Sequence, residues 1–196
     1  MFKLLAQKMC PTSINDIIGQ KHLLGENKIL RNLVENKKLF SMILYGKPGI
    51  GKTSIAKAIV NDLGIRYRFL NATVNNKKDF DVVLEEAKVY DGIVLIMDEI
   101  HRLNKDKQDL LLPSLESGLI TLIGMTTANP YHAINPAIRS RCQLFELKEL
   151  EYEDILEGLK RAITIDELNG IIVDDGCLEY IAKISGNDLR YAYNFL

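Results

Sequence analysis

Residues 46–53 read Gly46-Lys47-Pro48-Gly49-Ile50-Gly51-Lys52-Thr53 and decide the fold. They fit the pattern GxxxxGK[ST] between a short apolar run and a helix predicted over Lys52–Leu63. Glycines let the backbone wrap so that its N–H groups point at phosphate oxygens, and the following helix adds its positive end. A glycine-rich turn with a chance lysine is the competing interpretation, which the strand–loop–helix context disfavours. The sequence therefore predicts a phosphate-binding loop formed by Gly46, Pro48, Gly49, Ile50, Gly51, Lys52, Thr53 and Ser54.

Outward from this loop, apolar runs alternate with amphipathic helical patterns. Five runs are predicted as strands: 42–45, 67–71, 93–97, 119–125 and 143–147. Helices are predicted over 27–38, 52–63, 79–90, from an Asn104 cap to Leu112 (ended or kinked by Pro113), and from Asn135-Pro136. Beyond the fifth strand only helical patterns follow, over 152–163, 175–183 and 188–196. We predict a doubly wound α/β domain over 1–148, with a five-stranded parallel sheet flanked by helices, and a partial all-helical lid over 149–196.

Charge is distributed unevenly along the 196 residues. Up to Lys148 there are 21 basic and 15 acidic residues, a net charge of +6, and from Glu149 there are 4 and 11, a net charge of −7. The three cysteines, Cys10, Cys142 and Cys177, are an odd number without a CxxC, which argues against a disulfide framework or cysteine zinc site. No apolar run approaches the ~20 residues of a membrane span. We expect a cytoplasmic protein, in the bacterial cytosol or nucleoid, that contacts no membrane.

An acidic pair, Asp98-Glu99, follows the buried third strand. Open α/β sheets bind ligands at the carboxyl ends of their strands, and this pair lies 52 positions after Gly46. We predict that Asp98, with the Thr53 hydroxyl, holds Mg²⁺ and that Glu99 orients and polarises the attacking water. An acidic cap for the next helix is the competing interpretation. With the phosphate loop upstream, the functional one predicts that the protein hydrolyses ATP as well as binding it.

These residues resemble the AAA+ ATPases and, within them, the RarA/MgsA family, whose eukaryotic relative is the Werner-helicase-interacting protein. The similarity rests on the segments 19–23 (GQKHL), 98–105 (DEIHRLNK), 126–130 (TTANP) and 186–190 (GNDLR). Gln108-Asp109, Leu112-Pro113, Glu116 and Gly118 extend it. The resemblance covers nearly the whole chain and implies a P-loop AAA+ fold. It is specific at family level, because clamp-loader subunits and RuvB-type motors share only the generic motifs.

The resemblance implies roles for residues around the nucleotide. Ile17 and Ile18 are expected against the adenine ring, where an ordinary apolar turn is the alternative. Thr127 is expected as the first sensor of the γ-phosphate, with Asn129 as the competing choice. Asn71 is expected as a polar switch against the catalytic glutamate, and a plain strand-end asparagine stays open.

The resemblance also implies roles for two arginines, one facing a neighbouring subunit and one in the lid. Arg141, in Ser140-Arg141-Cys142, matches the arginine finger that reaches a neighbouring subunit's nucleotide, with Arg139 as the alternative. Arg190 resembles the second sensor, contacting phosphate from the lid. The family continues into further helices that carry oligomerisation, and the last apolar face still runs at Leu196, so we expect the chain to be cut after the second-sensor segment.

The resemblance implies a DNA-dependent ATPase of the replication-associated recombination and repair type, acting at stalled forks. Its expected partners are single-stranded, gapped or forked DNA, a homo-oligomer, and single-strand-binding or other replisome proteins. The alternatives are a clamp-loader-like or RuvB-like DNA ATPase and a protein remodeller. The segment 73–78 after the second strand is basic and polar, with Lys77-Lys78 and no aromatic grip. Two lysines favour a polyanion, although a solvated lysine pair explains them equally well.

Overall fold

A parallel sheet of five strands forms the centre of the protein, for which a computed structural model describes residues 5–165 and 173–196. The strand order is β2-β3-β4-β1-β5, and every neighbouring pair runs parallel. The strands are β1 (Met42–Tyr45), β2 (Tyr67–Asn71), β3 (Ile93–Asp98), β4 (Ile120–Thr126) and β5 (Gln143–Glu146). The predicted α/β fold with a five-stranded parallel sheet is confirmed, with each strand end within one residue of its prediction.

Short α-helices connect the strands and cover both faces of the sheet. The helices before β3 are α1 (Leu5–Lys8), α2 (Lys21–Leu24), α3 (Ile29–Glu35), α4 (Lys52–Leu63) and α5 (Lys77–Val89). Those between β3 and β5 are α6 (Lys105–Asp109), α7 (Leu112–Glu116), α8 (Pro130–Ala133) and α9 (Pro136–Arg139). After β5 follow α10 (Tyr152–Ala162), α11 (Asp175–Ile184) and α12 (Leu189–Tyr193). None of the helices in the described part of the chain is long and apolar enough to cross a membrane.

The core has three parts, one on each face of the sheet and one among the last helices. α4 packs its Ile55 and Ile59 on one face, and α5 packs Val83 and Ala87 on the other. The middle strands are buried on both faces, as in other parallel sheets. The third part joins α10, α11 and α12. Leu5, Ala6 and Met9 pack against this third part, so the N-terminal helix lies on the helical module that follows β5.

Several helix boundaries differ from their predictions; α3, for example, spans Ile29–Glu35 where a helix over 27–38 was predicted. The helix predicted from Asp79 begins at Lys77, because Asn76 and Asp79 form a capping box: the Asn76 side chain accepts from Lys78 N, and Asp79 accepts from Asn76 N. The lysine pair assigned to a loop therefore forms the first turn of α5.

The segment after Asn104 forms two helices where one was predicted. Asn104 caps the first, since its side chain accepts from Lys107 N at 3.0 Å, but that helix ends at Asp109. Pro113 lies in the first turn of α7 and does not end a helix. A proline lacks an N–H group that the first turn would leave unpaired anyway, so this position costs no hydrogen bond.

Candidate functional site

A cavity of about 620 Å³ lies between the phosphate loop and the helices that follow β5. Its lining includes the N-terminal segment, the carboxyl ends of β3 and β4, and the start of α12. The predicted site residues that line it are Ile17, Ile18, Pro48, Gly49, Ile50, Gly51, Lys52, Thr53, Ser54, Asp98, Glu99, Thr127 and Arg190. One cavity therefore unites the residues chosen for metal, water and adenine with those chosen for phosphate, except Gly46, which does not line it.

The phosphate loop needs glycine at three positions. Gly46, Gly49 and Gly51 have φ values of 145°, 78° and 98°, a region that residues with a Cβ rarely adopt. A Cβ on Gly46 would also lie 2.6 Å from the carbonyl oxygen of Leu147. Gly51 is the N-cap of α4 and forms no side-chain cap, so the first N–H groups of this 12-residue helix face the loop.

Lys52 is a buried cation at the start of α4. Its Nζ donates to the carbonyl oxygens of Gly46 and Lys47 at 2.8 and 2.6 Å. Burial lowers the pKa of Lys52, while the negative charges of Glu99 and Asp98 act in the opposite direction. The lysine is thus held by the loop itself, beside the acidic pair, where a phosphate oxygen would provide a stronger partner than a carbonyl.

Thr53 and Asp98 fit the requirements of a magnesium ion that is bound together with a nucleotide. Both line the cavity, and the Asp98 carboxylate accepts from Glu99 N at 3.0 Å. Among the described residues no cluster of three or more His, Cys, Asp or Glu side chains forms a metal site. Mg²⁺ that is bound with a nucleotide takes one or two protein ligands and completes its shell with phosphates and water.

Glu99 has an unusual backbone for a residue with a side chain. Its φ and ψ are 52° and 39°, in the left-handed region, directly before a 3-10 turn over Ile100–Arg102. Such conformations cost roughly 1–3 kcal/mol and concentrate at functional sites. The Glu99 side chain is 30% exposed and lines the cavity. It is therefore open to a water molecule beside the phosphate loop, as its predicted role requires.

Two residues without a predicted role lie around Glu99: His101 contacts its carboxylate, and Thr126 is hydrogen-bonded to His101. His101 Nδ1 lies 3.2 Å from Glu99 Oε2 and 2.9 Å from Thr126 Oγ1. Thr126 is buried at the end of β4 and also accepts from Ala128 N at 3.0 Å. The sequence contained only a weak signal for the contacts of His101 and Thr126 with Glu99. His101 is close to Glu99 in sequence, but the hydrophobic periodicity does not reveal the turn that brings the two side chains together.

Asn71 ends β2 beside the acidic pair. Its Nδ2 lies 3.5 Å from Asp98 Oδ2, and its Oδ1 accepts from the N–H and hydroxyl of Thr73. The contact that was expected with Glu99 is thus made with Asp98, because the left-handed backbone at Glu99 turns that side chain towards His101.

The two candidates for the first sensor occupy different environments. Thr127 lines the cavity. The side chain of Asn129 caps α8 by accepting from Tyr131 N at 2.9 Å. Its oxygen is therefore already engaged within its own helix.

Arg141 lies outside the cavity, on the surface formed by α7 and α9. Its guanidinium pairs with Glu116, and Nη1 donates to the carbonyl oxygen of Ala137 at 2.7 Å. Arg139, the alternative finger, donates Nη1 to Tyr131 O at 2.7 Å and lies over the Tyr131 ring. Arg141 thus does not line its own chain's cavity, and its role as an arginine finger stays a prediction.

The last helices close the cavity from the other side. Arg190 is exposed and lines the cavity from α12. Asp188 caps α12, and a Cβ on Gly49 would lie only 2.3 Å from its carboxylate, so this helix touches the phosphate loop. Further lining residues that the sequence did not single out for the nucleotide include Met9, Cys10, Arg161 and Tyr193. They come from the N-terminal segment, α10 and α12, which are far apart in sequence, so the spacing of motifs could not predict that they line one cavity.

Comparison with known proteins agrees with this geometry. The family model described as "ATPase family associated with various cellular activities (AAA)" matches residues 42–150, more than half of the chain. The chain belongs to this family of AAA ATPases. The matched segment contains the phosphate loop, the acidic pair and Arg141.

The predicted similarity to the RarA family is confirmed within the AAA ATPases. Replication-associated recombination protein A of Bacillus subtilis is 56% identical over 99% of this chain and 47% of its own length. ATPase WRNIP1 of Dictyostelium discoideum is 37% identical over 100% of this chain and 23% of its own length. The chain thus spans about half the length of the Bacillus relative.

Solved structures of RuvB have a similar fold. The RuvB Holliday junction branch migration motor of Thermotoga maritima has a TM-score of 0.81 and 30% identity. The match covers 95% of this chain and 63% of that one, so the similarity extends from the sheet into the helices after β5.

Proposed function

We propose that this chain is the nucleotide-hydrolysing part of a DNA-dependent ATPase of the replication-associated recombination type. The observation that carries the proposal is the single cavity that unites the phosphate loop with Asp98 and Glu99. The 56% identity to a replication-associated recombination protein supports the choice of DNA as the partner. Cytosolic or nucleoid location and binding to single-strand-binding protein stay predictions from the family resemblance.

The residues of the cavity divide the binding of ATP between them. Amides of the loop and of α4 bind the phosphates, Lys52 provides the charge, and Ile17 with Ile18 offers an apolar surface to the base. Thr53 and Asp98 would hold Mg²⁺, which neutralises phosphate charge when bound. Thr127, directly after β4, and Arg190 on α12 line the same cavity and would contact these phosphates.

Hydrolysis follows from the position of Glu99 beside this phosphate site. The Glu99 carboxylate orients a water molecule, whose oxygen attacks the γ-phosphorus while the bond to the ADP oxygen breaks. The water proton passes to the carboxylate, and the products are ADP and inorganic phosphate. A general base of this kind contributes typically ~10²–10⁴-fold to the rate.

Arg141 would complete the site of a neighbouring copy in a homo-oligomer. Its surface pair with Glu116 is partly exposed, and exposed pairs contribute only about 0–1 kcal/mol, so exchange of Glu116 for a phosphate costs little. An arginine supplied in this way is worth ~10³–10⁵ in rate.

Exposed lysines near one edge of the sheet are the best candidates for contact with DNA. Lys77 and Lys78 form the first turn of α5 after β2, and Lys105 and Lys107 lie on α6 after β3. β2 and β3 are parallel neighbours, so both connections leave from the same edge. Lysines clustered in this way suit a phosphate backbone, whose neutralisation dominates nucleic-acid affinity.

The test measures ATP hydrolysis by the purified protein alone, with single-stranded, gapped or forked DNA, and with an unfolded polypeptide. We expect DNA to raise the rate and the polypeptide to leave it unchanged. Glu99→Gln should bind ATP with unchanged affinity and keep only a residual turnover, lower by ~10²–10⁴-fold, which assigns the activity to this site. Activation by the polypeptide and not by DNA would replace this proposal with a protein remodeller.

A pair of double variants tests the DNA surface. Lys77→Ala with Lys78→Ala should weaken DNA binding and reduce the steepness of its salt dependence, by a slope of ~0.9 for each lost duplex phosphate contact. Lys37→Ala with Lys38→Ala removes an exposed adjacent lysine pair elsewhere and is the matched control. Equal losses from the two pairs would indicate only a change in overall charge.

A further inference from the structure

The hydrogen bonds around Glu99 extend beyond the motif that supplies it. We propose that His101 is a positioning residue that holds the Glu99 carboxylate in its reactive orientation and ties it to Thr126 on β4. This inference rests on the proposed hydrolysis of ATP. The contacts that carry it are those of His101 Nδ1, 3.2 Å from Glu99 Oε2 and 2.9 Å from Thr126 Oγ1.

The contacts of Nδ1 indicate which tautomer the His101 imidazole adopts. An unprotonated Nδ1 would place its lone pair against the carboxylate, so that two acceptors would face each other at 3.2 Å. With a proton on Nδ1, the ring donates to the Thr126 hydroxyl oxygen at 2.9 Å and places its N–H group beside the Glu99 carboxylate, 3.2 Å from Oε2. The hydroxyl proton of Thr126 then turns to the carbonyl oxygen of Ala128 at 3.5 Å, while Ala128 N donates to Thr126 Oγ1 at 3.0 Å.

Backbone and packing fix the position of the ring. The left-handed Glu99 starts a tight turn in which Arg102 N donates to Glu99 O at 2.7 Å, and this turn brings residue 101 back beside residue 99. Ile100, between them, is fully buried. Its Cδ1 would lie 3.2 Å from a Cβ on Gly124, so the glycine of β4 leaves the space that anchors the turn.

Water has little access to the contact, whereas the carboxylate faces the cavity. The His101 side chain is 14% exposed, against 30% for Glu99, and Thr126 is buried. A hydrogen bond to a charged group gains strength in such surroundings. Because Thr126 directly precedes Thr127, the same strand end supplies a residue to the cavity and a support for the base.

The role proposed for His101 differs from that of Asn71. The Asn71 amide bonds to Asp98 and Thr73, so it supports the carboxylate assigned to the metal. His101 supports the carboxylate assigned to the water. The two carboxylates of the acidic pair therefore have separate partners, which separate substitutions can address.

Substitutions of His101 distinguish positioning from general packing. His101→Ala should lower kcat by ~10²-fold, the loss that a misplacement of about 1 Å produces, and leave the affinity for ATP unchanged. His101→Asn offers an amide N–H near the position of Nδ1 and should recover most of this loss. His101→Gln places its amide nearer to Nε2 and should not. His132→Ala, an exposed histidine on α8, is the control and should keep the wild-type rate.

A double-mutant cycle shows whether His101 acts through Glu99. In a Glu99→Gln protein, the further change His101→Ala should cost nothing, because the group that it positions is already lost. Three outcomes would overturn the inference. The Asn, Gln and Ala variants of His101 could lose kcat equally, or His101→Ala could cause its full loss of kcat in the Glu99→Gln background as well. The third is a loss of ATP affinity that matches the loss of kcat. A wild-type protein without ATP hydrolysis would instead overturn the proposed function.

A measurement without activity keeps the inference testable in that case. The nitrogen chemical shifts of the His101 ring in the nucleotide-free protein should report a proton on Nδ1, and Glu99→Ala should change them. An Nδ1 that carries no proton, or shifts that are unaffected by Glu99→Ala, would contradict the proposed contact.

Discussion

The three cysteines lie in different surroundings, and one of them, Cys10, lines the nucleotide cavity. Burial raises the pKa of the Cys142 thiol to about 12, so at about pH 8 it stays protonated and reacts slowly, since the thiolate is the nucleophile. Cys10 and Cys177 are exposed, and Cys10 lines the cavity. We expect a maleimide to label Cys10 and Cys177 quickly and Cys142 slowly, as measured by mass spectrometry of peptides.

An ATP analogue that is not hydrolysed should slow the labelling of Cys10 and leave that of Cys177 unchanged. Cys177 on α11 is the internal control, because it does not line the cavity. Protection of both thiols would indicate a general closure of the protein. Protection of neither would mean that the nucleotide does not approach the N-terminal segment.

Single residues differ in how far the sequence could predict them. The phosphate loop and the acidic pair were predictable because glycine backbone freedom and the end of a buried strand are local properties. The partner of Glu99 was not, since it depends on a left-handed φ of 52° in a residue that is not glycine. That conformation turns Glu99 to His101 and leaves Asn71 with Asp98.

At the scale of elements, the strands were predictable to within one residue, because the central ones are nearly continuous apolar runs and all five alternate with helical patterns. The helix boundaries between β3 and β4 were not. The buried Gln108 donates to Leu103 O at 3.0 Å and accepts from Asn135 N at 2.8 Å, which fixes the short α6 to the start of α9. Such a tertiary contact divides one predicted helix into two and leaves no periodicity.

Gln20 joins three elements that form the cavity, and its loss should destabilise the fold. The side chain, which is 5% exposed, donates to Lys148 O at 2.7 Å and accepts from Lys148 N at 3.0 Å. It also lies 3.4 Å from the carbonyl oxygen of Ile50 in the phosphate loop. Gln20→Met keeps the length of the side chain and leaves these groups unpaired, so we expect a loss of about 1–3 kcal/mol in the free energy of unfolding in urea.

The matched control for this substitution is Gln143→Met, at an exposed position of β5. It should change the free energy of unfolding by no more than about 0.5 kcal/mol, as surface substitutions usually do. Equal effects of the two variants would show that the hydrogen bonds of Gln20 contribute nothing beyond side-chain polarity.

At the scale of the whole molecule, the uneven charge follows the architecture. The positive segment up to Lys148 forms the sheet, its helices and the phosphate loop, and the negative segment forms the helices that close the cavity. Lys47 of the loop pairs with Glu149 at 2.5 Å where the two segments meet. Within the negative segment, Arg190 brings a positive charge to the cavity lining. Part of the charge of both segments therefore lies in contacts within the protein or at the nucleotide cavity. The positive surface that remains for DNA is smaller than the net charge of +6 suggests.

Arg190 should link nucleotide binding to the stability of the whole chain. It is exposed, so Arg190→Ala should leave the melting temperature unchanged without nucleotide. A ligand stabilises the folded state by about 2.7 kcal/mol at a hundred times its Kd, and a tenfold weaker affinity removes about 1.4 kcal/mol of this. In thermal unfolding with ATP and Mg²⁺, Arg190→Ala should therefore show a smaller upward shift than the wild type. Lys183→Ala, which removes an exposed positive charge from α11, should keep the full shift. If the two variants shift equally, the helices after β5 close the cavity without contacting the phosphates.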